Sequence, residues 1–277
     1  MIGAYSCLAC TLYYFGDFES ARRYARQGVQ IWRSGNVQPY GEDSHTPVVG
    51  CLCFGAMSEW HLGEIASCQA SLDDAISLAK ESKDMTALGF ALSWAAGLGC
   101  TAGNPAAVGC LASDLMELCE RHNFANWLPL ANIYRGWARS ASGDTAEGIR
   151  WIERGIRDFR ATGTVLGLPS LLARKAEALH LADRNSEALQ VINEAAALAE
   201  RFEQPYFCAE LHRLRGVFLT AMGAEEIQIE ASFCEAIRIA REQKSISLVK
   251  RTEATCAEYR RQKVSAAEGR KFRLPLF

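Results

Sequence analysis

Several things are scarce in this 277-residue chain, and each scarcity excludes something. No apolar run approaches the roughly 20 residues that a membrane-spanning helix needs. Charge of one sign is not in excess, since 30 basic residues face 32 acidic ones, so no global field draws the chain to nucleic acid or to an anionic membrane. Proline is limited to seven residues, and the two-residue alternation of half-buried strands is nearly missing. No G-x-x-x-x-G-K-[ST] loop occurs and no H-E-x-x-H, which leaves phosphate cradling and zinc hydrolysis of the usual kinds without residues. The N-terminus "MIGAYSCLACTLYYFG" has no basic leader or clear cleavage site. A cytoplasmic protein without cofactors is the expectation.

What is present is a helical period from end to end. Apolar residues recur at three- and four-residue spacing in "SLDDAISLAK", "EALQVINEAAALAERF" and "SFCEAIRIAREQ", the signature of amphipathic helices. Breakers punctuate the pattern at Gly16-Asp17, Gly63, Gly103-Asn104-Pro105, Gly143-Asp144, Asp183-Arg184-Asn185 and Gly223. Stepping by 40 residues, or 47 at the first junction, brings small residues into one column at Ala9, Ala56, Ala96, Gly136, Ala176 and Gly216. A second column holds Gly28, Ala75, Leu115, Gly155, Ala195 and Ala236, with Leu115 the exception. Small side chains allow two helices to approach closely.

This order of small residue, turn, small residue, small residue resembles the tetratricopeptide repeat, although that repeat has 34 residues and a closing proline that is replaced here by Arg33, Lys80, Glu120, Arg160, Glu200 and Arg241. The resemblance implies an all-α fold, a right-handed α-solenoid. The period predicts first helices near 2–15, 47–62, 84–102, 124–142, 167–183 and 204–222, and second helices near 17–33, 65–82, 105–122, 145–161, 185–202 and 225–243. A capping helix near 245–262 ends a single repeat unit over residues 1–262, and a basic and apolar tail covers 263–277.

Three segments carry a narrower resemblance: "PYGEDSHTPVVGCLCFGAMSEWHLG", "NIYRGWARSASGDTAEGIRWIERGIRDFRATG", and "AELHRLRGVFL" with "ASFCEAIRIAREQKSISLVKR". They are similar to the C-terminal repeat region of bacterial regulators that join an adenylate/guanylate cyclase domain, a predicted ATPase domain and a tetratricopeptide array. What this implies is a non-catalytic regulatory or interaction module, because residues of the cyclase and ATPase domains have no counterpart here. A separated C-terminal piece of such a regulator and a small-molecule-sensing array are the alternatives, and the latter requires a closed pocket along the groove.

Candidate sites follow from the geometry of solenoids, whose first helices line the concave face. One helix-face row holds Tyr13, Trp60, Cys100, Ser140, His180 and Thr220; a neighbouring row holds Cys10, Met57, Gly97, Trp137, Glu177 and Val217. Arg213 projects from the sixth first-helix. Arg135, Lys175 and Arg215 form a basic ladder that either grips an acidic peptide or pairs with Glu177 and Glu210. A protein or peptide partner held by Tyr13, Trp60, Trp137, Arg135, Lys175, His180, Arg213 and Arg215 is therefore the expectation. The apolar first helix lacks a polar cap, which points to self-association or to further covering chain at that end. Cys7, Cys10, Cys51 and Cys53 read as core residues rather than a zinc site, and Cys119 with His122 as a helix end rather than a nucleophile pair. The tail carries Arg260, Arg261, Lys263, Arg270, Lys271 and Arg273 before Leu274-Pro275-Leu276-Phe277; its apolar end suits docking on the array itself or on a partner, and nucleic acid is disfavoured because no stacking platform accompanies the charge.

Overall fold

The computed structural model describes residues 1–35, 45–266 and 274–276. The basic residues Arg270, Lys271 and Arg273, Phe277, and most of the polar connection before the second repeat lie outside the described residues. Among the described residues there are thirteen α-helices and no strand. In chain order they are α1 Ile2–Tyr14, α2 Phe18–Arg33, α3 Thr46–His61, α4 Ile65–Glu81, α5 Met85–Thr101, α6 Pro105–His122, α7 Leu128–Ala141, α8 Thr145–Ala161, α9 Leu168–Leu181, α10 Asn185–Arg201, α11 Cys208–Ala221, α12 Glu226–Glu242 and α13 Ile246–Ala266. A short 3₁₀ turn, Pro205–Phe207, precedes α11. The chain is an α-solenoid of six helix pairs and a closing helix, as the period predicts; α13 runs past its expected end at 262.

The turns explain why the helices stop where they do. Each first helix ends on a left-handed residue: Gly16, Gly63, Gly103, Gly143 and Gly223 have positive φ, and Asp183 takes that place in the fifth repeat with φ 58°. Glycine is the residue that adopts this conformation without a Cβ penalty. The next residues start the second helices, where Asp17 accepts from the Ser20 N–H at 3.1 Å and Asn104 from the Ala107 N–H at 3.1 Å, satisfying amide groups that a helix start leaves unpaired.

Within a pair the small columns set the separation of the helices. A Cβ built on Gly136 would lie 2.5 Å from the Gly148 carbonyl oxygen, and one on Gly155 would lie 2.6 Å from that of Pro129. Both are closer than side-chain atoms tolerate, so α7 and α8 pack backbone against backbone.

The superhelix closes on itself. His61 Nδ1, at the end of α3, lies 2.8 Å from Ser245 Oγ just before α13. The Ile246 side chain abuts Gly63, the Gln243 side chain lies against Gly16, and Lys244 pairs with Glu19 of α2. Residues nearly two hundred positions apart thus meet. The tail also returns to the array: Leu274 and Leu276 are buried in the core, and the Leu276 carbonyl accepts from Arg213 Nη2 at 2.6 Å.

Candidate functional site: an aromatic cavity on the inner face

The first helices point their long side chains toward the axis of the curve, and there they leave a cavity of about 330 Å³. Its walls come from five repeats and the 3₁₀ turn: Tyr13 and Tyr14 of α1, Phe54 and Met57 of α3, Phe90 and Trp94 of α5, Trp127 and Tyr134 at α7, Arg174 of α9, and Tyr206 and Phe207. The rings brace one another at aromatic contact distances. Tyr14 meets Tyr206 edge-on with centroids 4.9 Å apart, Phe54 meets Trp94 at 5.0 Å, and Phe90 meets Trp127 at 5.8 Å. Such offset and T-shaped pairs fix ring positions beyond what area burial supplies.

One repeated position builds much of this wall. Two residues before the small-residue column stand Phe54, Trp94, Tyr134 and Arg174, at successive steps of the repeat. The column was present in the sequence as three aromatic residues 40 apart followed by an arginine; it escapes a search anchored on small residues. The row of Cys10, Met57, Gly97, Trp137 and Glu177 lies beside it. Cys10, Met57 and Gly97 reach the cavity, and the last two stand behind it.

Behind the wall a chain of buried polar groups runs along the axis. The Trp137 indole N–H donates to Glu177 Oε2 at 2.7 Å. Arg174 Nη1 donates to both oxygens of that carboxylate at 3.1 and 3.0 Å, and its Nη2 to Thr101 Oγ1 at 2.7 Å. Arg251 of α13 continues the chain, donating to the Thr101 carbonyl and, at 3.3 Å, to Glu210 Oε1. Arg213 holds Glu210 in a two-pronged pair at 2.9 and 2.7 Å. Burial by itself raises the Glu210 pKa, but the guanidinium groups of Arg213 and Arg251 outweigh it and hold the carboxyl down to about 2. His61 faces the same cluster, with Glu210 favouring its protonation and Arg251 opposing it; burial dominates and pushes it down to about 3.

The expected site residues divide accordingly. Tyr13 lines the cavity; Trp137 and Arg213 belong to the polar chain; Trp60 lies under the Arg251 guanidinium, 5.5 Å from it. The basic ladder faces the second helices instead. Arg135 sits over the Trp151 ring of α8 at 5.0 Å, Lys175 pairs with Glu153 of α8 at 2.9 Å, and Arg215 donates to Ser232 of α12 at 3.3 Å. Glu177 and Glu210 take Arg174 and Arg213 as partners, one and two positions before the ladder, because neighbouring residues on a helix are turned about 100° apart. His180 contacts Asn185 at the turn into α10 and the ring of Phe218, away from the cavity. Among the described residues, no group of three His, Cys, Asp or Glu side chains converges to hold a metal, and no helix is long and apolar enough to cross a membrane. Cys51 and Cys53 are buried and Cys10 is half-buried, but Cys7 is exposed and does not belong to the core; burial pushes the Cys51 thiol up to about 12, while the His122 ring stacks on Phe124.

Comparison with known proteins yields the same architecture. The model of a family described as Anaphase-promoting complex subunit 5 matches residues 51–101 and 200–263, less than half of the chain. A protein of Rhizobium meliloti (strain 1021), itself described as uncharacterized, is 27% identical over 148 residues. That stretch is 53% of this chain and 14% of the relative, so the chain corresponds to a small part of a much longer protein. Among solved structures, Bacillus thuringiensis PlcR in complex with the peptide PapR7 and DNA superposes with a TM-score of 0.57 at 14% identity, covering 82% of this chain and 89% of that one. The apo form of RapI gives 0.56 at 13% identity, covering 91% and 99%. Likeness at these identities is a likeness of fold: the chain is a helical-repeat array of the tetratricopeptide-like kind.

Proposed function

We propose that this array is a non-catalytic sensing and interaction module: a ligand enters the aromatic cavity of the concave face, and the curved array presents its outer and end surfaces to a protein partner. The observation that carries the reading is the cavity itself, whose walls join the first repeat to the fifth and to the turn before the sixth. A ligand there touches both arms of the curve at once. Its binding energy therefore favours one curvature over others, which is the requirement for a ligand to shift a conformational equilibrium. Enclosure by aromatic side chains with few polar groups is the usual character of ligand pockets.

The longer relative supports placing such a module within a longer protein, in line with the resemblance to cyclase–ATPase–repeat proteins, and the peptide in the PlcR complex supports a peptide as the kind of partner met outside the cavity. Residues 1–262 form the binding unit in this proposal, with 263–277 as an appended segment. Trp60, Trp137 and Arg213 serve by holding the cavity wall and the ring closure, whereas the half-buried Arg135, Lys175, Arg215 and His180 are contacts for the partner away from the cavity. Leu8 and Phe15, exposed on the first repeat, provide apolar area for self-association.

The test is a thermal-shift screen of small aromatic compounds and of random peptides, run side by side on the native chain and on Ser93→Leu. Ser93 lines the cavity and its hydroxyl bonds only within its own helix, to the Phe90 carbonyl, so leucine fills space without breaking the polar chain. Ligands should raise the melting temperature of the native chain and leave the variant unmoved. Ligands that stabilise both equally would place binding elsewhere.

A further inference from the structure

The cavity has a charge as well as a shape. Of the residues that line it, Arg174 is the only one with an ionised side chain at neutral pH. The buried chain behind it contains three guanidinium groups, Arg174, Arg213 and Arg251, and two carboxylates, Glu177 and Glu210. Both carboxylates are shared. Glu177 accepts from the Trp137 indole as well as from Arg174, and Glu210 serves Arg213 and Arg251 together. His61 adds no further positive charge, because burial keeps it neutral. Among the described residues of this cluster the guanidinium groups outnumber the carboxylates by one: Arg174 pairs with Glu177, while Arg213 and Arg251 share Glu210.

Arg174 is the cation of this cluster that reaches the cavity. Its bonds to Glu177 and Thr101 use Nη1 and Nη2; none of them uses the Nε–H. The neighbouring hydroxyls add donors. Burial raises the pKa of Tyr13, Tyr14 and Tyr134, so they stay protonated phenols that donate hydrogen bonds and bring no competing negative charge. The remaining wall is aromatic and aliphatic, and the volume of about 330 Å³ is at the small end of the range that swallows whole ligands. A single ring with a short acidic arm fits these dimensions; a peptide of several residues does not.

We propose that the cavity binds a small aromatic monocarboxylate, its ring held among Trp94, Trp127, Phe54 and Tyr206 and its carboxylate at Arg174. This inference rests on the cavity being the ligand site, as proposed above, and names what enters it. A charge-assisted hydrogen bond from the guanidinium to a carboxylate is among the stronger polar contacts available. The apolar body gains from the desolvated ring walls, where a charged or heavily hydroxylated molecule would lose hydration without replacement.

The experiment is a calorimetric titration of the full chain with 3-phenylpropionate, 3-phenylpropionamide, hexanoate and the tripeptide N-acetyl-Ala-Ala-Phe. The acid should bind about tenfold or more tightly than its amide, the difference that one charge-assisted contact supplies, and more tightly than hexanoate and the tripeptide. Arg174→Gln should remove the preference of acid over amide, and Ser93→Leu, which leaves every charge in place, should abolish binding of both. Equal affinity for acid and amide in the native chain would overturn the charge assignment while leaving an aromatic cavity site standing. Tighter binding of the tripeptide would overturn the small-molecule class in favour of a chain terminus. Lack of binding by any of the four at millimolar concentration, or unchanged binding in Ser93→Leu, would overturn the proposal outright.

Discussion

Replacing Glu210 with glutamine should cost about 3–5 kcal/mol of stability, the range for removing one partner of a buried ion pair. Glu210 is buried, accepts two bonds from Arg213 and a third from Arg251, and so joins α13 to α11 from inside the curve. Glutamine keeps the shape but presents a neutral amide, so Arg213 and Arg251 face each other with no negative charge between them. For a domain of this size the loss corresponds to a drop in melting temperature on the order of 10 °C. Because Arg251 ties α13 to α5 and α11, amide exchange within 246–263 should accelerate more than exchange in α7 or α8. Glu235→Gln is the control: it breaks an exposed pair with Arg238 and should change stability by less than about 1 kcal/mol. Equal effects of the two substitutions would contradict the role given to the axial cluster.

Acidification should loosen the ring where His61 meets Ser245. His61 has its folded pKa pushed down to about 3 from an ordinary value of 6.5 because burial disfavours the imidazolium. The unfolded chain therefore binds a proton at this site below about pH 6.5 that the folded chain refuses until about pH 3. Stability is lost progressively as pH falls through that window, at a rate approaching about 1.4 kcal/mol per pH unit for one group. Glu210 acts in the same direction lower down: its folded pKa of about 2 lies below the ordinary 4.5, so its contribution is present above about pH 4.5 and disappears as pH approaches 2. Burial also lowers His180 and His212, so all three histidines act in the same direction in urea unfolding between pH 7 and pH 5. The native chain should lose stability over that interval, and His61→Gln should reduce the slope while retaining a side chain able to bond Ser245. A native profile that is flat between pH 7 and pH 5 would contradict the buried neutral imidazole.

Much of the fold was legible because its determinants are local. Gly16, Gly63, Gly103, Gly143 and Gly223 mark the ends of first helices through backbone conformation, and Gly136, Gly148 and Gly155 mark the approach of α7 to α8 through the lack of a Cβ. Closure of the ring was not legible, since the contacts of His61 with Ser245 and of Lys244 with Glu19 depend on a small rotation accumulated over every repeat. The site was half legible for a related reason. Tyr13, Trp137 and Arg213 lie on the inward face of the first helices, as the period predicts. Arg174 rather than its neighbour Lys175 is the inward residue, because which of two adjacent positions faces the axis depends on how tightly the superhelix curls. Tyr206 sits in a 3₁₀ turn within a segment that the period assigns to the start of a helix, so its place in the cavity had no periodic signal at all.

Fluorine NMR of the chain carrying 5-fluorotryptophan reports whether a ligand enters the inner aromatic cavity. The six tryptophans report on different places: Trp94 and Trp127 line the cavity, Trp137 and Trp60 lie in and against the polar chain, Trp151 stands on the second-helix layer under Arg135, and Trp32 lies near the end of α2. With 3-phenylpropionate the resonances of Trp94 and Trp127 should move in a saturable way, with that of Trp151 unchanged. A response confined to Trp151 or Trp32, with Trp94 and Trp127 unmoved at saturation, would contradict the account.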